Sequence, residues 1–406
     1  MDSLSSISSS DRSARSPGFA GPPWAAILAL LLILAIDHLA FGSLAVWQQI
    51  HARLHGPNLL ESGVVQDRLE LLKLDLREGS EPRVFVVGSS RMHYGFQPER
   101  EPPASLPAVS FTKLAHPQLF AFEIRAAVEE IRGRDPRVVV IALSEFDTHS
   151  RIKLLPGSSL GDLPAIADLA REAGIGFVAE RRVMLYRIAF GDLINAYHYR
   201  GVLGRIGLDR ARSFRRDRRL RLPQRAEGSV QFWAGDVMPI PDEDLERIVA
   251  EFDARFPGRG SMIERAQFGL MRSISRGAHA EISMGLLRRS VEILRAEGAE
   301  VIVIEPPLYP GVEALYDASI RQDFLAFAKE LATDEGVYFV PLEAGPDYAK
   351  EDFGDLTHLD MGGASKFTRL VVSLVRELLA AESESAPSAP TRDEADARRR
   401  GAARAG

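Results

Sequence analysis

The sequence predicts an α/β fold, a doubly wound parallel five-stranded sheet with helices on both faces. Three observations carry that expectation. Short, nearly uninterrupted apolar runs recur along the chain, as parallel strands require because both of their faces are covered. Helical patterns alternate with these runs, the βα order that builds a parallel sheet. Polar residues, Ser90, Asp147 and Glu305, follow or close three of the runs, at the strand ends where such sheets bind ligands.

In chain order, Arg83 to Val87 is the first strand, ended by Gly88, which lets the backbone turn sharply. Val109 to Leu114 is the second strand, and Gln118 to Arg132 has the apolar spacing of a helix. The aliphatic run Arg137 to Leu143 is the third strand. Helix Ala280 to Glu297 leads into strand Glu300 to Glu305, and a helix over Ser319 to Asp334 leads into strand Val337 to Pro341. Helix Gly363 to Ala381 closes the domain, with Asp360 ahead of it as an N-cap.

Between Thr148 and about His279 lies an insert, residues 150–279, far longer than the roughly 2 to 6 residues of a βα loop, so it must carry its own structure. We expect it to be mostly helical. Arg205 to Arg225 holds nine arginines against Asp209 and Asp217, which suits either anionic lipid heads and acidic glycans or an ordinary solvated helix face. Tyr186, Phe190, Tyr197 and Tyr199 line an acceptor cleft or form a local core.

The chain has 406 residues, 46% of them hydrophobic, and a net charge of -6, which gives no reason to expect a nucleic-acid partner. The absence of cysteine excludes disulfides, thiol nucleophiles and thiolate metal sites. The folded domain spans residues 81–381. Residues 382–406 turn to Ser, Ala, Pro, Asp and Arg without apolar periodicity and read as a disordered tail, and residues 1–22 read as a disordered cytoplasmic segment. Residues 48–80 form a connector whose stretch Val64 to Arg77, with Leu69, Leu72 and Leu76, reads as an amphipathic helix.

Trp24 to Ile36 is uncharged, Asp37 and His38 follow, and Leu39 to Trp47 is uncharged again. At about 1.5 Å per residue this span can cross a roughly 30 Å hydrocarbon core with some tilt, so residues 23–47 read as a transmembrane signal anchor. A cleaved signal peptide with Ala40-Phe41-Gly42 at its cleavage site is the competing reading. Arg12 and Arg15 favour a cytoplasmic amino terminus, which puts the domain outside; the lack of cysteine fits a bacterial envelope protein, so the expected place is the periplasmic side of a bacterial cytoplasmic membrane.

The first strand runs into Gly88-Ser89-Ser90-Arg91, and far downstream stands Asp355-Leu356-Thr357-His358. A serine hydroxyl becomes a nucleophile when an imidazole takes its proton and a carboxylate fixes that imidazole. Ser89 or Ser90 sits on the turn, and Asp355 and His358 supply the other two groups from one loop.

These two blocks resemble those of the SGNH hydrolase superfamily, also called GDSL, in which G-D-S-L opens the first block and D-x-x-H closes the last. The flanking Gly88-Ser-Ser-Arg-Met-His-Tyr-Gly-Phe96 and Thr357-His-Leu-Asp-Met-Gly-Gly-Ala-Ser-Lys-Phe367 look closer to one branch, that of membrane-anchored envelope acyl-transfer proteins such as the alginate acetylation and DltD-like families. The resemblance covers Pro82 to Leu379 outside the insert. It implies a flavodoxin-like SGNH fold, Ser90 as nucleophile, His358 as base and Asp355 as its orienter, with no cofactor. It also implies an oxyanion hole made from the amides of Ser90 and of Ala115 or His116, with Ser144 the side-chain donor available after the third strand. Ser89 stands in place of the family aspartate, and with Arg91 it is expected to face the substrate; Arg91 in a structural salt bridge is the alternative. The chain departs from the family by lacking a glycine after the second strand and an asparagine after the third. Loss of one such donor costs about 100-fold to 1,000-fold in rate.

The implied function is a serine esterase or O-acyltransferase acting on ester-linked acyl groups of an envelope polysaccharide or lipid, with a multi-pass membrane acyltransferase as a partner in the transfer case. Two other readings remain open. One is an inactive envelope scaffold of the same fold. The other is a divalent-metal site formed by Asp147, His149, His93, Glu305 and His358, for which no metal-ligand spacing speaks.

Overall fold

The computed structural model describes residues 23–42, 82–101, 109–115, 119–149, 163–181, 185, 250, 276–312 and 318–385. Five strands form one sheet: β1 (Arg83–Gly88), β2 (Ser110–Ala115), β3 (Val138–Ala142), β4 (Glu300–Ile304) and β5 (Val337–Val340). Every pairing is parallel and the order is β2-β1-β3-β4-β5. The direction of winding reverses between β1 and β3, which opens a crevice at their carboxyl ends. The α/β class and the five-stranded parallel sheet agree with the sequence reading, and each strand lies within two residues of its expected run.

The helices are α1 (Pro23–Gly42), α2 (Ser90–Gly95), α3 (Ala121–Ile131), α4 (Glu145–His149), α5 (Leu163–Glu180), α6 (Ala278–Ala296), α7 (Ala318–Leu331) and α8 (Met361–Ser385). Alternate strand residues point to opposite faces. Phe85, Val87, Val139, Ile141, Val301 and Val303 join α3, α5, α6 and α7 in one core. Val84, Val86, Val138, Val140, Ala142, Ile302 and Ile304 join Met92 and Phe96 and, from α8, Phe367, Val371 and Val375 in a second core. Covering on both faces explains why the strands read as continuous apolar runs rather than alternating ones.

Two details differ from expectation. The short helices α2 and α4 follow β1 and β3 at once, where the sequence offered only polar strand ends. Helix α8 runs through Ser385, so Glu382–Ser385, assigned to the tail, are helical. Within the insert, α5 is a helix interrupted at Gly174 (φ 81°), and it docks on α3 through the buried pair Arg125 and Asp168 at 2.7 Å. Most of the insert, including Arg205 to Arg225 and the tyrosines, lies outside the described residues, as do the connector at 48–80, residues 1–22 and residues 386–406.

Of the expected membrane span, residues 23–42 form α1, while 43–47 lie outside the described residues. Among the described residues no helix is long and apolar enough to cross a membrane. Asp37 and His38 break the apolar character of α1, yet Trp24, Ile27, Leu28, Leu30, Leu31, Leu32, Ile33, Ile36 and Leu39 are all exposed on it.

Candidate active site

Gly88 has no room for a side chain: a Cβ there would stand 2.8 Å from Cβ of Met92 and 2.9 Å from Cβ of Ala142. The absence of that atom lets α2 start immediately after β1 and lie against the crevice. Ser89 is the N-cap, with extended backbone, and its carbonyl accepts the His93 amide at 3.0 Å. Ser90 is the first residue of α2 and is half-buried.

The far end of α2 is tied to α8. The amide of Gln97 donates to Oγ1 of Thr368 at 2.9 Å, that hydroxyl donates to the Gly95 carbonyl at 3.2 Å, and a Cβ on Gly95 would meet the Phe367 ring at 3.1 Å. This docking fixes the loop before α8 relative to α2. The loop is closed on itself, with Phe353 bridged to Leu359 and the Gly354 amide bonded to the His358 carbonyl at 2.9 Å. As the sequence reading expected, Asp360 caps α8, accepting the Gly363 amide at 2.9 Å.

Inside that loop Asp355 and His358 form a couple. Oδ1 of Asp355 accepts the amides of Thr357 and His358, each at 2.8 Å, which leaves Oδ2 to accept Nδ1–H of His358 at 2.7 Å. The tautomer follows: with the proton on Nδ1, Nε2 carries the lone pair and is the basic atom. Nε2 is shielded from solvent and has no hydrogen-bond partner, so no bond joins it to Ser90. Burial acts to raise the Asp355 pKa, but the hydrogen bond and charge of His358 and the two amides outweigh it and hold the carboxyl below its ordinary value.

Tyr94 connects this couple to the helix that Ser90 begins. It lies four residues after Ser90, on the same face of α2, and its ring meets that of His358 edge-on at 5.1 Å between centroids. The structure thus brings α2, with Ser90 at its start, and the Asp355–His358 couple to one end of the sheet.

Arg91 turns inward rather than toward a substrate. It is 6% exposed; Nη2 donates to Oγ of Ser144, Nη1 to the Pro306 carbonyl at 3.4 Å, and the guanidinium lies 5.1 Å from the centre of the Phe146 ring. Ser144 is fully buried, and its hydroxyl and amide both donate to Oδ2 of Asp147, at 2.7 and 2.9 Å. Its one hydroxyl proton is committed there, so Ser144 has none to offer an oxyanion. Ala115 closes β2, and its carbonyl bonds Nδ1 of His93 at 2.8 Å. His116 lies outside the described residues.

The residues named for a metal site have other partners. Glu305 and Glu145 both accept from Arg321, and Glu305 also accepts the Leu342 amide at 3.1 Å. His149 is bonded through Nδ1 to Thr148 at 2.8 Å. Among the described residues no three His, Asp or Glu side chains converge on a point where an ion could sit. Burial raises the Asp147 pKa to about 6 against the pull of Arg91 and Ser144, and burial likewise raises that of Glu305.

The sequence reading missed Tyr94 and Thr368. Tyr94 falls into register with Ser90 only once α2 is known to be a helix, and six residues directly behind a strand give too little periodicity to reveal one. No protein-family model matches the chain, and no curated protein is significantly similar to it.

Proposed function

We propose that this protein is an SGNH-like serine esterase or O-acyltransferase acting through Ser90, His358 and Asp355. The observation that carries the reading is the couple in which Asp355 holds Nδ1–H of His358 at 2.7 Å while Nε2 stays basic and unpartnered beside the helix that begins with Ser90. Such an imidazole has one role left to fill, that of proton acceptor.

In the first step Nε2 takes the Ser90 proton as Oγ bonds to the acyl carbon. The tetrahedral oxyanion is held by the amide of Ser90 and that of Ala115 or His116, and the alcohol leaves with the proton from His358. In the second step the same nitrogen deprotonates the acceptor, which attacks the acyl-enzyme and frees Ser90. Water as acceptor gives an esterase, and a sugar hydroxyl gives a transferase. The exposed apolar side chains of α1 support a membrane anchor with the domain in the periplasm, where envelope polysaccharide or lipid esters are the substrates and a multi-pass membrane acyltransferase the donor.

A second reading, a non-catalytic envelope scaffold, is favoured by the missing bond between Ser90 and Nε2 and by the spent donor of Ser144. Hydrolysis of p-nitrophenyl acetate separates the two. The enzyme reading expects turnover in the native chain that is abolished in both Ser90→Ala and His358→Ala. Equal rates in all three at matched folding contradict it.

A further inference from the structure

We infer that Arg91, Ser144 and Asp147 form one strut that positions the serine helix, a role that rests on the proposed nucleophile and sharpens it. Arg91 immediately follows Ser90 on α2, so wherever its guanidinium is held, the start of that helix is held too. The guanidinium is buried and crosses the winding-reversal crevice: it donates to the Ser144 hydroxyl behind β3 and to the Pro306 carbonyl behind β4. The Ser144 hydroxyl donates its hydrogen bond to Asp147, whose carboxylate faces Arg91 as counter-charge and accepts the Ser144 amide as well.

The chemistry of each link is specific. A buried guanidinium needs acceptors on several N–H groups at once, which a lysine cannot match with its single point charge. Among the described residues the Ser144 hydroxyl is the group that both accepts from the Arg91 cation and donates to the Asp147 carboxylate. Its loss leaves the Arg91 and Asp147 charges buried without the hydroxyl that bridges them, a costly state that α2 relieves by shifting. A displacement of about 1 Å at an attacking atom is enough to cost about 100-fold in rate. Arg91 therefore acts through Ser90 and does not touch substrate.

The test uses Ser144→Ala, Ser144→Thr, Arg91→Lys and the Ser144→Ala/Arg91→Lys pair in the full chain, with two readouts. Hydrogen exchange of the peptide over residues 88–96 should quicken about tenfold in Ser144→Ala relative to α3 and α6, and return to native in Ser144→Thr, since local opening reports local stability. The rate of fluorophosphonate labelling should fall about tenfold in Ser144→Ala and Arg91→Lys, be restored by Ser144→Thr, and fall no further in the pair, because members of one unit are non-additive. Native exchange over 88–96 in Ser144→Ala overturns the strut whether or not the protein is an enzyme. Absence of labelling in the native chain counts against the proposed function alone, and multiplied effects in the pair count against the strut alone.

Discussion

Asp355 spends Oδ1 on two backbone amides and keeps Oδ2 for Nδ1 of His358. Replacing it with asparagine offers an N–H to a nitrogen that already carries a proton, which flips the tautomer and takes the lone pair from Nε2. Asp355→Asn should lower ester turnover by about 10⁴-fold while the fold persists; a loss below tenfold would mean that the carboxylate does not orient a base. A different carboxyl tests burial. Glu123 is 2% exposed and caps α3, and burial raises its pKa to about 8 despite hydrogen bonds from its own amide and that of Phe120. The folded state therefore holds this proton more tightly than the unfolded chain does. Its contribution to stability is complete below the ordinary glutamate value and is lost as pH rises through about 8. Glu123→Gln should raise the urea midpoint at pH 8 and leave it nearly unchanged at pH 4.5. Equal shifts at both pH values would show that Glu123 does not titrate across this window.

At the scale of elements, the strands were legible because burial on both faces writes itself as consecutive aliphatics, as in Val138–Ala142. The long helices were legible from amphipathic spacing, with α8 extending past Ala381 because helical residues continue beyond the last apolar contact with the sheet. Helices α2 and α4 were not legible: five or six residues packed end-on behind a strand owe their form to tertiary contacts rather than to a pattern. The Asp355–His358 couple was readable because its two members are three residues apart in one loop. Arg91 and Ser144 are 53 residues apart, and nothing local records that the arginine turns inward, so the sequence leaves a substrate contact and a structural role for it side by side. The turn from β1 into α2 is where an element-scale prediction bites. A methyl group at residue 88 must push Met92 or Ala142 aside, and a close-packed interior resists that at a cost of about 1 to 3 kcal/mol. Gly88→Ala should lower the denaturation midpoint accordingly and slow labelling of Ser90 more than the stability loss alone explains. Native behaviour on both counts would show that α2 is not held tightly against β3.

Across the whole molecule, the carboxyl edge of the sheet gathers buried charges that two arginines balance. Arg321 on α7 serves Glu145 behind β3, Glu305 behind β4 and Glu343 behind β5, so one side chain from a helix joins three strand ends. Removing it leaves Glu145 and Glu305 buried against each other. Arg321→Met should destabilise the domain by about 3 kcal/mol, visible as a single cooperative transition at lower temperature, since breaking a buried pair strands its partners. A shift of less than about 0.5 kcal/mol would show that water already screens the cluster. The same edge carries Ser90 at the start of α2, and α8 docking on α2 through Thr368 makes the placement of that helix relative to the His358 loop a property of the global fold rather than of either motif.

The most direct measurement is to treat the native chain with a fluorophosphonate and locate the adduct by peptide mass mapping. The account predicts one adduct, on Ser90, absent from Ser90→Ala and strongly reduced in His358→Ala. An adduct on another residue, or none on a correctly folded native chain, would contradict it.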